Sequence, residues 1–461
     1  MFRKFMDWVR RVLGKLINKS TIKEKLQIDV AVSGEMADAI DLWSKIYENK
    51  APWLSSTVQS LNLGSAIAGE IARLVTIELK SEITGSPRAE YLQTQYQPVL
   101  DKLRQYCEYG CAKGGIVFKP YIDGKRIAVD AVHADRFFPT AFDGSGNITG
   151  AVFVERLTKG KKYYTRFERH NLFNRGYEIT NAAYVSDVES MIGREADLAG
   201  IDEWASLEAH SIIQNIDTPL FAYFKAAQAN TTDTDSPLGV SVYARAVDLL
   251  QEADKQYSRL LWEFEGGELA IDADVTMFQD VGKDKVVFPK GKERLFRTFR
   301  GLGGDTEEQL KTFSSALRDE SFNNGLNTLL IRIEDNCGLA RGTFSNPQGE
   351  ARTATELKIL KQRSYATVAD NQKSLQAALE QLIYAMDVWT TLGKLAPAGD
   401  YEVSFKWDDS IIVDSEAEQL IRMQEVAAGI LKPEEYIKWR YGITDDAKIL
   451  EMMPAMNKLV E

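Results

Sequence analysis

Five acidic residues, Asp408, Asp409, Asp414, Glu416 and Glu418, form the best candidate for catalytic chemistry in the chain. Clustered carboxylates of this kind hold the metal ions of two-metal nucleases. A working site usually gathers its carboxylates from several elements. Asp and Glu also collect wherever a helix begins, because the helix N-terminus favours negative charge. An acid-rich helix start is therefore the expected reading, with a metal-dependent nuclease using Asp408, Asp409 and Asp414 as an alternative. Cys107 and Cys111 have helical i, i+4 spacing, but Cys337, His133, His170 and His210 are the only other soft ligands, too few for an evident zinc site. Buried thiols are expected, and three cysteines give no disulfide framework and fit a reducing compartment.

Other chemical motifs are missing. No G-x-x-x-x-G-K-[ST] loop occurs, and "GLGGD" at 301–305 lacks both the spacing and the lysine. A dinucleotide fingerprint, a G-x-S-x-G elbow and an H-E-x-x-H helix are absent too. No catalytic residue, metal or cofactor is expected. The net charge of −11 argues against a conventional DNA reader, which carries a basic footprint. Two segments break the acidity. Residues 1–17 have Phe2, Phe5, Met6, Val9, Val12, Leu13, Leu16 and Ile17 at helical spacing among Arg3, Lys4, Arg10, Arg11 and Lys15. This amphipathic helix is expected to pack on protein, with an anionic membrane surface as the alternative. Residues 282–300 carry Lys283, Lys285, Lys290, Lys292, Arg294, Arg297 and Arg300. A solvated strand face is the usual outcome of such a run, and an acidic partner is the functional one.

The elements around these residues follow from periodicity. At 461 residues, the chain is long enough for two to four modules. Residues 35–110 have apolar positions three and four apart and read as helices. Residues 111–186 alternate and turn, as a small antiparallel β module. Residues 187–236 show little pattern, and Ser236 and Pro237 suit the start of a long helix over 240–265 that Gly266 and Gly267 end. Residues 268–304 read as a β excursion, and 306–337 as helix. A polar stretch, "GLARGTFSNPQGEARTATE" at 338–356, then separates two helices. The second is expected over 353–392, opened by the capping box of Thr353 and Glu356. "YEVSFKWDDSIIVD" reads as a strand, and 414–461 as an acidic helical tail broken at Gly429, Pro433, Gly442 and Pro454.

In this order the chain resembles the portal proteins of tailed bacteriophages, of the type found in long-tailed phages and prophages of Gram-positive bacteria. "GIVFKPYIDGKRIAVDAVHADRFFPTAFDGSGNITGAVFVER", "SPLGVSVYARAVDLLQEADKQYSRLLWEFEGGELAI", "GLARGTFSNPQGEARTATELK" and "WDDSIIVDSEAEQLIRMQEVAAGILKPEEYIKWRYGIT" carry the resemblance. It implies an α+β portal-type fold, with long stem and wing helices, a small antiparallel β wing module, a β-containing clip and a helical C-terminal crown. The implied regions are wing 1–238, first stem helix 239–267, clip 268–305, second stem helix 306–340, tunnel loop 341–352, long wing helix and closing strand 353–413, and crown 414–461.

The resemblance also implies a homo-oligomeric ring, typically dodecameric, at a capsid vertex of the virion, assembled in the host cytoplasm. Double-stranded DNA passes through it without sequence reading during packaging and ejection. The implied partners are the terminase large subunit, the major capsid and scaffolding proteins and a head-tail connector. Hydrolysis of ATP belongs to the terminase, which accords with the missing phosphate loop. No stable membrane association is implied. Within the tunnel loop, Arg341, Thr343, Ser345, Asn346, Gln348, Glu350 and Arg352 are the expected channel residues. Arg341, Asn346, Gln348 and Arg352 suit phosphates, and Glu350 weakens that grip. The basic residues of 282–300 are the expected docking residues of the clip.

Overall fold

The computed structural model describes residues 19–268, 270–274, 296–299, 310–313, 316–346, 354–407, 415–441 and 449. The amphipathic segment 1–17 lies outside them. In chain order the elements are helices α1 (Lys19–Leu26), α2 (Gly34–Tyr47) and α3 (Leu63–Thr76), strand β1 (Leu79–Gly85), helices α4 (Pro87–Leu100) and α5 (Leu103–Lys113), and strands β2 (Gly115–Asp123), β3 (Arg126–His133), β4 (Phe137–Phe142), β5 (Ile148–Lys159), β6 (Lys162–Phe173), β7 (Gly176–Ser186), β8 (Arg194–Ala196), β9 (His210–Gln214) and β10 (Ala222–Lys225). Helix α6 (Val247–Gly266), strands β11 (Ala270–Asp274), β12 (Phe296–Phe299) and β13 (Leu310–Phe313), helices α7 (Asp319–Cys337) and α8 (Ala354–Leu392), strand β14 (Tyr401–Trp407), and helices α9 (Ser415–Ala427) and α10 (Pro433–Tyr441) complete them. Helices and antiparallel sheets are mixed, an α+β architecture.

The N-terminal helices form for local reasons. Ser33 caps α2 by accepting from the Met36 amide, and Met36, Ile40, Trp43 and Ile46 supply its buried stripe. Ser86 caps α4 in the same way, with Pro87 in the first turn. Inside the run expected to be helical lies β1. It pairs antiparallel with β14, from Leu79 opposite Trp407 to Gly85 opposite Tyr401. Beyond Thr76, alternation at Ser81 and Ile83 takes over from helical spacing, and a partner more than three hundred residues away satisfies the backbone.

The antiparallel module begins at Gly115 and extends further than its sequence pattern. Strands β4 to β8 form one sheet, with β9 also on β7, while β10, β2 and β3 form another. Strands β8, β9 and β10 fall in the stretch expected to be unpatterned, and each is five residues or shorter, too short to show a period. Helices α5 and α8 both pack on β2 and β10. In α8, Leu375, Leu379, Leu382, Ile383 and Met386 are fully or almost fully buried. This helix has 39 residues and is about 58 Å long. Its far end is bolted to α4 by buried Arg88, which donates to Asp387 Oδ1 (2.6 Å), the carbonyls of Asp387 (2.7 Å) and Ala396 (3.0 Å), and the Thr391 hydroxyl.

Two helix starts differ from expectation. Helix α6 begins at Val247, not near 240. Ser236 instead accepts weakly from the Leu238 amide, and residues 239–242 pass beside the end of α5 without forming helix, where the Val242 amide donates to the Cys111 carbonyl at 2.9 Å. The two backbones touch at paired glycines. Gly114 has φ +89°, and a Cβ there would sit 2.5 Å from the Gly239 carbonyl oxygen. Gly114→Ala is expected to cost about 2–4 kcal/mol, from the left-handed backbone and the clash together, read as a lowered urea midpoint. An unchanged midpoint would refute this account of the crossing.

Helix α7 begins at Asp319 because the segment before it is committed to a sheet. Strand β13 pairs antiparallel with β11, and β12 lies parallel on the other side of β11. The expected helix over 306–318 is thus replaced, at 310–313, by strand.

Candidate functional site

The polar stretch between α7 and α8 is tied down at its beginning. Gly338 ends α7 in the left-handed conformation (φ 70°), and its amide donates back to the Glu334 carbonyl. The chain then folds over the Glu334 side chain. This carboxylate, 0% exposed, accepts four hydrogen bonds from the loop. Its Oε1 takes the amides of Phe344 (2.6 Å) and Ser345 (2.8 Å), and its Oε2 takes the amide of Gly342 (3.2 Å) and the hydroxyl of Ser345 (2.7 Å). A buried carboxylate is tolerated only with such donors, and here the turn supplies three amides and a hydroxyl.

Neighbouring groups extend the joint. Asn327, two turns earlier on α7, accepts from the Asn346 amide (2.7 Å) and donates to the Asn346 carbonyl (2.9 Å). Thr343 donates to the Ala340 carbonyl at 2.6 Å. From α8, Ser364 accepts from the Ala340 amide (2.6 Å) and Thr367 donates to the Gly338 carbonyl (2.9 Å). Asp335, beside Glu334, receives Arg341 Nε at 3.1 Å and Nη2 at 2.9 Å, and Arg363 Nη1 of α8 at 3.0 Å. The hydrogen bonds from Arg341 hold the Asp335 carboxyl below its usual range, and Arg363 and Arg332 add to the effect.

Of the sequence-expected loop residues, Arg341, Thr343, Ser345 and Asn346 are brought together at this joint. Ser345 is buried, Thr343 is half-buried, and Arg341 and Asn346 are exposed. Gln348, Glu350, Arg352 and Thr353 lie outside the described residues, and Glu356 stands in the first turn of α8. Of the basic run, Arg297 stands on β12 in register with Asp272 of β11. Lys283, Lys285, Lys290, Lys292, Arg294 and Arg300 lie outside the described residues, as do Asp408, Asp409 and Asp414. Glu416 and Glu418 stand at the start of α9. Sequence reasoning passed over Glu334, Asp335, Asn327, Ser364, Thr367 and Arg363. The available signal was an acid at position 334 between Leu330, Ile333 and Cys337 on the inward side of α7.

Elsewhere the chemistry is quiet. Cys107, Cys111 and Cys337 are free and buried. Burial pushes the Cys337 thiol up to about 12. Among the described residues no group of three or more His, Cys, Asp or Glu is placed to hold a metal ion, and no helix is long and apolar enough to cross a membrane.

A family model described as phage portal protein, SPP1 Gp6-like, matches residues 92–458. No curated protein matches the chain.

Proposed function

We propose that this chain, which belongs to the phage portal protein family, forms a homo-oligomeric ring at a capsid vertex, expected to be dodecameric, through which double-stranded DNA is packaged and ejected. The family match over residues 92–458 carries the reading. Three features support it. Helices α7 and α8 are long and joined by a polar segment, the arrangement a stem helix, tunnel loop and wing helix require. The chain is acidic overall, and a repulsive wall keeps a moving polyanion from sticking. The basic run over 282–300 follows the end of α6, at the position of a clip that docks the terminase large subunit or a connector protein.

Under this reading 239–267 and 306–340 contribute the stem, 268–305 the clip, 341–352 the tunnel loop and 414–461 the crown. The loop's phosphate contacts are assigned to Arg341 and to Asn346, Gln348 and Arg352. They position DNA without reading its sequence. Capsid and scaffolding proteins would surround the ring in the virion, and ATP hydrolysis would be the terminase's work.

Electron microscopy of the purified chain, averaged down the symmetry axis, tests the proposal. Rings with a central hole wide enough for duplex DNA are expected. A chain that stays monomeric at every concentration and binds anionic liposomes through residues 1–17 would overturn it.

A further inference from the structure

Two guanidinium groups, from the loop and from α8, converge on the carboxylate of Asp335, and a third, Arg332, stands one turn before it on α7. Arg341 of the loop holds both oxygens of Asp335 with two donors, and Arg363 of α8 holds one oxygen with a single donor. Arg332 is exposed and acts on Asp335 through its charge, with no hydrogen bond to it. The side chains of Arg341 and Arg363 are 49% and 56% exposed. Three positive charges against the one of Asp335 leave a surplus of two (3 − 1). Glu334 reduces that to one, but it is buried behind the turn and its oxygens are taken by loop donors. This is a locally cationic spot on a chain of net charge −11.

The geometry is that of an anion site held open. Each guanidinium carries five N–H donors in a planar fork. Asp335 uses two from Arg341 and one from Arg363, so most of the set is left for a second acceptor. The same carboxylate offsets the repulsion among the three arginines and orders Arg341 and Arg363 in advance, which lowers the entropic cost of binding. The nearby polar groups, Asn327 and Asn336 of α7 and Asn346 of the loop, are neutral and oppose no anion.

We propose that Arg332, Arg341 and Arg363 form one phosphate-contact site for the backbone of duplex DNA, with Asp335 as the residue that positions Arg341 and Arg363. The site rests on the portal reading and adds to it two arginines outside the loop, one on each flanking helix. It ties the DNA path to α7 and α8 themselves. Contacts to phosphate carry no sequence information, as a channel for a whole genome requires.

The test is binding of a fluorescent mixed-sequence duplex to the purified full-length protein, by anisotropy across a salt series, with rings counted in the same samples by microscopy. Each phosphate contact contributes about one to the slope of log affinity against log salt. The double substitution Arg332→Gln with Arg363→Gln is expected to reduce the slope by about two or more and to weaken binding about tenfold or more near 0.1 M salt, equally for different sequences. A double variant that forms rings and keeps the wild-type slope would overturn the site and leave the portal reading standing. Wild-type rings with no salt-dependent binding would overturn it too. Wild-type protein that forms no rings would remove the portal reading, and the site with it.

Discussion

Glu334→Ala is expected to free residues 342–345 from α7, with a loss of about 3–5 kcal/mol in local stability, the cost of leaving its buried donors without an acceptor. Four donors converge on this carboxylate. A hydrogen bond to a charged group contributes roughly 1.5–3 kcal/mol. The simple sum overshoots, because a turn that opens regains water for its amides. Glu334→Gln separates charge from shape. Whichever way its amide is turned, the NH2 faces a donor, either the Gly342 amide or the pair from Phe344 and Ser345. About half the effect is expected. Hydrogen exchange at the amides of Gly342, Phe344 and Ser345 measures it, fast in the alanine variant and intermediate in the glutamine variant. Protection within 375–386 of α8 should hold, since that segment is buried against other elements. Unchanged protection at the three loop amides in Glu334→Ala would refute the anchor. In the portal reading this anchor makes the base of the tunnel loop move with α7, so rings of Glu334→Ala are expected to assemble but to package poorly.

The elements that were legible in the sequence are those whose causes are local. Helix α8 begins and ends within a residue of where its spacing and the Thr353 and Glu356 pair place it. The hairpin of β2 and β3 follows from alternation about the turn at Gly124, which has φ +64°. The misread elements have distant causes. Strand β1 exists because β14 pairs with it, and β13 because β11 does. Ser236 and Pro237 form a sound helix start in isolation, but the crossing of Gly114 and Gly239 takes the following residues past the end of α5 without helix. The loop followed the same division. Its polar residues were visible as a polar stretch. The acid that organises them sits on the preceding helix, where an inward-facing charge reads as an exception to the stripe until its four donors are seen.

Glu168→Gln is expected to cost about 3–5 kcal/mol at neutral pH, because it leaves the nearly buried Lys119 without its anion, while Arg166 keeps its pairing to Glu155. Lys119 of β2 places Nζ 2.5 Å from Glu168 Oε2, and Arg166 places Nη2 3.1 Å from the same oxygen. The other oxygen lies 2.8 Å from His170 Nε2, and His170 Nδ1 lies 2.7 Å from the Tyr177 hydroxyl. An ionised carboxylate only accepts, so Nε2 carries the proton and Nδ1 accepts from Tyr177. This network joins the sheet of β2 to that of β6 and β7. Burial alone would raise the Glu168 carboxyl, but Lys119, His170 and Arg166 outweigh it and hold the carboxyl well below its ordinary range. Burial lowers His170, against the opposing pull of Glu168. The two shifts act in the same direction on stability. His170 held neutral contributes fully above about pH 6.5, where the unfolded imidazole is also neutral, and the contribution falls below that pH as the unfolded state takes up its proton. Glu168 held ionised contributes fully above the unfolded carboxyl value, near 4.3, and that contribution is lost as pH falls through the folded one. Urea midpoints of the native chain should therefore decline from about pH 6.5 downward and more steeply below about pH 4.5. In Glu168→Gln the midpoint at pH 7 should be much lower, and the steeper acid limb should flatten. A variant within 1 kcal/mol of the native chain at pH 7, or one that keeps the full acid limb, would show that the pairing of Lys119, Arg166 and Glu168 does not hold the two sheets together.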